Sequence, residues 1–170
     1  MSEVLIRPAR IEDVEAIAAF SAAMARETEG RMLDRDRLRY GTRSLLETPA
    51  HGFFVVAEHQ GANERSVVGQ LMVTYEWSDW RNAVFWWIQS VYVDPAWRRK
   101  GIFRKMHATV MATAKADPKV CGVRLYVESE NRLAQEVYRK VGLKPSSYEV
   151  YETDFVLGHQ QSLADRPDEA

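Results

Sequence analysis

The residues best suited to chemistry stand together between Gln89 and Met106: a strand-like run, Gln89-Ser90-Val91-Tyr92-Val93, stops at Asp94-Pro95. After Ala96-Trp97 comes the basic turn Arg98-Arg99-Lys100-Gly101, and a helical pattern opens with Ile102-Phe103-Arg104-Lys105-Met106. The first N–H groups of a helix lack intrahelical acceptors and sit at the positive end of its dipole. A turn that aims them at one point binds an anion, above all a phosphate, without dedicated side chains. Gly101 adds no Cβ to obstruct a close approach to the backbone. The same basic residues also read as an ordinary solvated helix face, and a lone glycine turn does not choose between the two.

The rest of the segment carries a resemblance that does choose. Arg98 and Gly101 match the acetyl-CoA motif of the GCN5-related N-acetyltransferase (GNAT) superfamily, an Arg or Gln, two residues, Gly, one residue, then Gly or Ala, set after a strand that ends near a proline. Phe103 departs from the last position. A second block, Asn131-Arg132-Leu133-Ala134-Gln135-Glu136-Val137-Tyr138-Arg139-Lys140-Val141-Gly142-Leu143, resembles the family's Asn-x-x-Ala-x-x-x-Tyr-x-Lys-x-Gly segment, at the expected distance from Gly101. The resemblance spans roughly Leu5 to Phe155, with its specific motifs in the second half.

The resemblance implies an acetyl-CoA-dependent N-acetyltransferase acting by direct transfer, with no metal. Backbone groups of Val91, Tyr92 and Val93 would pair with the pantetheine arm. The turn carrying Arg99, Lys100, Gly101, Ile102, Phe103 and Arg104 would hold the pyrophosphate, with Arg98 and Asn131 assisting. Tyr138 is the family-matched acid for the departing thiolate, although its stripe with Leu133, Ala134 and Val137 alone reads as a core or interface tyrosine. An alkyl ammonium titrates near 10.4, so a proton must leave the amine before attack. Many relatives carry a glutamate where this chain has Gln89-Ser90. Glu76 and Glu128, each near a strand end, are the candidate bases acting through water, and an amine that enters neutral is the alternative. Strand-end glutamates are also common as plain surface groups.

The acceptor is expected against the first two helices, the central hairpin and the last strand, with Arg26, Glu29, Glu76, Trp77, Gln89 and Tyr151 as candidate contacts. Their carboxylates and aromatic rings suit a small amine or amino-acid-like metabolite. A protein lysine or N-terminus as acceptor, and a CoA-binding regulatory module with weak turnover, remain alternatives. A homodimer is a further expectation, since this fold often pairs.

Positioning these groups requires an ordered series of elements. Val4-Leu5-Ile6 reads as an opening strand, and helical periodicity runs from about Ile11 to Arg26 and from Arg35 to Glu47. Strand patterns cover 53–57, 67–75 and 84–93, a helix runs from Arg99 to Lys115, and alternation returns over 123–127. A helix carrying Tyr138 closes at Gly142, and Tyr148 to Phe155 reads as a last strand. Three consecutive strands imply an antiparallel meander, so the fold class is α/β (α+β): the GNAT fold, with a mixed, mostly antiparallel twisted sheet of about six to seven strands and about four helices. Residues 1–157 form the expected acetyltransferase domain, and 158–170 a polar tail.

Composition fits this and excludes other classes. With 170 residues one domain is the prior, and 23 Lys+Arg against 24 Asp+Glu leave no global cationic field for nucleic acid or a membrane surface. The single Cys121 cannot form an internal disulfide, no spacing looks like a zinc site, and neither a signal-type apolar core nor a spanning run occurs, so a cytoplasmic protein is expected. Phosphate-binding and dinucleotide glycine motifs of other α/β folds are absent.

Overall fold

The computed structural model describes residues 3–61, 64–127 and 129–157. The chain runs through strand β1 (Glu3–Pro8), helices α1 (Val14–Glu29) and α2 (Arg35–Glu47), and strands β2 (Gly52–Gln60), β3 (Arg65–Ser78) and β4 (Ala83–Val93). Helix α3 (Ile102–Ala116), strand β5 (Val120–Leu125) and helix α4 (Arg132–Lys140) follow. Short 3-10 turns at Ile11–Asp13 and Pro95–Trp97 lead into α1 and away from β4. The chain divides into two compact units, Met1–Asn131 and Arg132–Ala170.

The first unit holds one sheet in the order β1-β2-β3-β4-β5. Pairs from β1 to β4 are antiparallel, as the meander required, and β5 joins β4 in parallel after the α3 crossover. Alternation along the strands separates two cores. On one face Ile102, Met106, Val110 and Ala114 of α3, spaced by four, pack on Val55, Ala57, Leu71, Val73, Trp86 and Ile88. On the other, Ile17 of α1 and Leu45 of α2 meet Phe54 and Val56. Each Val, Leu, Ile, Phe or Met among them, removed from water, contributes about 1.5–3 kcal/mol. Trp86 and Trp87 divide as adjacent strand residues must, Trp86 into the α3 core and Trp87 half-buried opposite.

One buried ionic cluster fixes the start of α1. Arg7 on β1 donates to Asp13 at 2.7 Å and to Glu58 on β2 at 2.5 Å. Hydrogen bonding to Asp13 is the main cause that raises the Arg7 pKa. Burial alone would raise the Asp13 carboxyl, yet Arg7 and the Arg10 N–H outweigh it and hold it below the ordinary value.

In the second unit α4 ends as its sequence requires: Gly142 takes φ 92°, and the Leu143 N–H reaches back to the Tyr138 carbonyl at 3.0 Å. The expected strand at Tyr148 to Phe155 does not form, so the sheet has five strands rather than six or seven. Alternation specifies a strand only when a neighbour takes its N–H and C=O groups. Among the described residues no strand pairs with this segment, and Tyr151 and Phe155 are 91% and 94% exposed. Among those residues, too, no helix is long and apolar enough to cross a membrane, and no cluster of side chains is suited to a metal ion.

Candidate active site

Strand β4 carries two irregularities that open the sheet. Val73 pairs with Ile88 and Met72 with Ser90, so Gln89 is an extra residue without a partner position on β3. This β-bulge turns Gln89 and Ser90 towards the same face and bends the strand. On the other side, pairing with β5 ends at Ile88 and Leu125, whereas pairing with β3 continues to Val93. From Gln89 to Val93 the β4 edge therefore faces away from β3 with no strand beside it among the described residues. An extended chain laid there would find the alternating N–H and C=O groups of an edge strand.

At the end of that edge lies the basic turn. Arg99 and Gly101 both adopt left-handed conformations, φ 61° and 75°, and the N-cap position of α3 is Gly101, which has no side chain with which to cap it. A Cβ built on Gly101 would meet nothing within 4 Å, so its glycine requirement is one of backbone angle. The turn leads into the positive end of a 15-residue helix. Ile102 is buried beneath it, and the Phe103 ring stands 5.7 Å from the ring of His107. Phe103 thus occupies packing space along α3 and leaves the left-handed turn intact. His107 is buried rather than exposed, its Nε2 has no hydrogen-bond partner, and burial lowers its pKa.

The side chain of Arg98 is tied down. Its Nε donates to the Val93 carbonyl at 2.9 Å and its Nη2 to Glu27 at 2.6 Å, while Glu27 also accepts from the Tyr92 hydroxyl at 2.6 Å. The guanidinium lies 5.2 Å from the Tyr92 ring centre, and Phe20 of α1 packs on that ring from 5.2 Å. Tyr92, then Arg98, pull the Glu27 carboxyl below its ordinary value, and burial, then Glu27, push the Tyr92 phenol up. This network fastens the last turn of α1 to the end of β4 and to the basic turn. Sequence reasoning missed it, because Glu27 lies 71 residues from Arg98 and no local spacing joins them.

A second network lies on the face shared by Met72, Thr74 and Glu76. The Glu76 carboxylate accepts from the Trp87 indole N–H and from Arg124 Nη1 at 2.9 Å. Arg124 lies over the Phe85 ring at 3.6 Å, and Trp87 stacks on Tyr126 with centroids 4.3 Å apart. Gly122 admits that arrangement, since a Cβ there would stand 2.6 Å from the Phe85 ring. Gln89 donates to Thr74 Oγ1 at 2.9 Å, continuing the patch towards the bulge. Arg124, Phe85 and Tyr126 also escaped sequence reasoning; the one signal available was their alternation on neighbouring strands.

The fold therefore brings Val91, Tyr92, Val93 and Arg98 to Arg104 to one end of β4. It gathers Glu76 and Gln89 on one face, but Trp77, 62% exposed, alternates to the other. Arg26 and Glu29 are exposed on the last turns of α1, with Glu29 3.4 Å from Arg31. Asn131 ends the first unit, and Glu128 lies outside the described residues. Tyr138 and Tyr151 belong to the second unit; Tyr138 is half-buried, and burial pushes its phenol up.

Residues 16–143 match the family model described as the acetyltransferase (GNAT) family. A solved structure of a possible acetyltransferase from Clostridium difficile 630 is similar over 90% of this chain and 98% of its own, with 42% identity and a TM-score of 0.81. An aminoglycoside N-acetyltransferase, AAC(6')-Iy, solved in complex with CoA, shares the fold over 92% of this chain and 97% of its own, at 13% identity and a TM-score of 0.73. A ribosomal-protein-alanine N-acetyltransferase from Brucella melitensis biovar Abortus 2308 does so over 90% and 100%, at 15% identity and a TM-score of 0.68. A search of curated proteins finds no match.

Proposed function

This chain belongs to the GNAT acetyltransferase family and is an N-acetyltransferase, and from that premise we propose that it acetylates a small primary amine or amino-acid-like metabolite by direct transfer from acetyl-CoA. One juxtaposition supports the reading: the β4 edge from Gln89 to Val93, with no strand beside it among the described residues, runs into a helix start entered through left-handed Arg99 and Gly101. An extended thiol arm suits the first part and a diphosphate the second, so the residues fit the donor that this family uses.

Acetyl-CoA, when bound, supplies an activated carbonyl and a thiolate leaving group. Backbone groups of Val91, Tyr92 and Val93 hold the arm, and N–H groups of the turn from Arg99 to Arg104 hold the diphosphate. Arg98 acts through its bonds to Glu27 and Val93, which keep the turn in place, and Asn131 assists from the other motif. The N–H near Val91 donates to the carbonyl oxygen as charge develops there. Tyr138 returns a proton to the sulfur; its raised pKa keeps the phenol protonated at neutral pH.

The amine must lose its proton first. Glu76 already accepts from Trp87 and Arg124, which fixes its place on the acceptor side. Glu76 or Glu128 removes the proton through water, or the amine arrives neutral. Arg26, Glu29, Trp77, Gln89 and Tyr151 complete the candidate acceptor contacts.

The test is thiol release from acetyl-CoA across a panel of amines, with acetyl-CoA binding followed by calorimetry. Tyr138→Phe is expected to lower kcat by roughly 10- to 100-fold while leaving acetyl-CoA affinity unchanged. Absence of acetyl-CoA binding to the native protein would sink the whole reading. An unchanged kcat would remove only Tyr138 as the acid.

A further inference from the structure

We propose that the acceptor carries a carboxylate besides its reacting amine, and that Arg124 is the residue that recognises it. The inference rests on the acetyl-transfer reading above and deepens it by naming the acceptor's second group.

The argument starts from what holds Arg124. Among the described residues, Nη1 alone of its guanidinium nitrogens is engaged in a hydrogen bond, to Glu76. The guanidinium carbon lies 3.6 Å from the centre of the Phe85 ring and 5.7 Å from that of Trp87, and Glu76 is itself fixed by the Trp87 indole. The side chain is about one-third exposed. It is therefore oriented before any ligand arrives, with an N–H edge left to solvent. A planar fork of donors in a set orientation matches a carboxylate in a way a lysine does not.

Position supports the same reading. Arg124 is the β5 partner of Trp87, one pair before β4 and β5 part at Ile88 and Leu125. Trp87, Glu76 and the bulge residue Gln89 with its partner Thr74 continue the same face towards the opening. A ligand on this patch lies at its lip, against the flat wall made by Trp87 and Tyr126. The charges on the patch decide the ligand's sign. Glu76 is the carboxylate facing Arg124, and its oxygens already serve Arg124 and Trp87, so an added cation finds no vacant anion there. An anionic group finds the remaining guanidinium edge. This favours amino-acid-type acceptors and disfavours polyamines.

The decisive experiment compares matched acceptors, amino acids against the same molecules lacking the carboxylate, at saturating acetyl-CoA. The native enzyme is expected to favour the carboxylate-bearing member by about tenfold or more in kcat/KM. Arg124→Gln should erase that preference, read as the ratio of kcat/KM between the matched acceptors, and Arg124→Lys should restore part of it. Calorimetry with acetyl-CoA checks that each variant is folded and that the donor site is untouched. If Arg124→Gln does not fold, the native ratio and Arg124→Lys still decide. Turnover with no preference, or a preference that survives Arg124→Gln, overturns this inference alone. Loss of acetyl-CoA binding by the native protein, or no turnover of any amine, overturns it together with the reading on which it rests.

Discussion

The turn around Gly101 and the patch around Arg124 flank the same strand, but they are made of different material. The turn is backbone: two left-handed residues and a helix start without a side-chain cap. The patch is side chains from three strands, Glu76 on β3, Phe85 and Trp87 on β4, and Arg124 on β5, linked across 48 residues of sequence. A backbone site depends on local angles and tolerates changes in the residues around it. This is why Phe103 sits in the first turn of α3 without disturbing Gly101. A side-chain site depends on strand register, so each member constrains the next.

The largest expected effect that tests this contrast is at Gly101. Gly101→Glu forces a side chain into the left-handed region and places a negative charge at the proposed diphosphate site. Acetyl-CoA affinity should fall by roughly 100-fold, about 3 kcal/mol, in a calorimetric titration. If affinity survives, the site is not a backbone cradle, and the contrast with the patch is lost.

A smaller effect is expected at Glu27, where the turn does borrow side chains. Glu27→Gln removes the charge that holds Arg98 and Tyr92. Because Glu27 and Arg98 are both about 40% exposed, solvent screens the pair and the loss is limited. The KM for acetyl-CoA should rise about 5- to 10-fold with kcat nearly unchanged. A fall in kcat with constant KM would instead assign Glu27 to the acceptor side.

The smallest effect is the pH dependence of stability. The Glu27 carboxyl is depressed in the folded chain by Tyr92 and Arg98, and that of Glu58 by Arg7. A depressed carboxyl stabilises the fold above its unfolded value and loses that contribution as pH falls through the folded one. Thermal stability should therefore drop below about pH 4.5, the ordinary glutamate value. Glu27→Gln should flatten only its own share of that drop, so an acid limb identical to that of the native protein would show the Glu27 pair to be energetically silent.

How much was readable in advance follows the same division. Element order up to α4, the antiparallel meander and the glycine turn that opens α3 were legible, because each rests on periodicity or on neighbours in sequence. The bulge at Gln89 was not, since an extra residue in a strand is defined only against its partner on β3. The strand expected at Tyr148 to Phe155 failed for a related reason: its alternation is present, but pairing is a property of two segments.

The sequence by itself determined the order of the elements from β1 to α4, which of their faces are apolar and where a glycine turn opens a helix. Those features depend on side-chain period and on the conformational freedom of Gly101. Only the tertiary structure decided that β4 leaves β5 after Ile88, that Glu27 holds Arg98, and that Arg124 lies fixed over Phe85 with one edge open. Those depend on registers and distances between segments far apart in the chain, which no local spacing encodes.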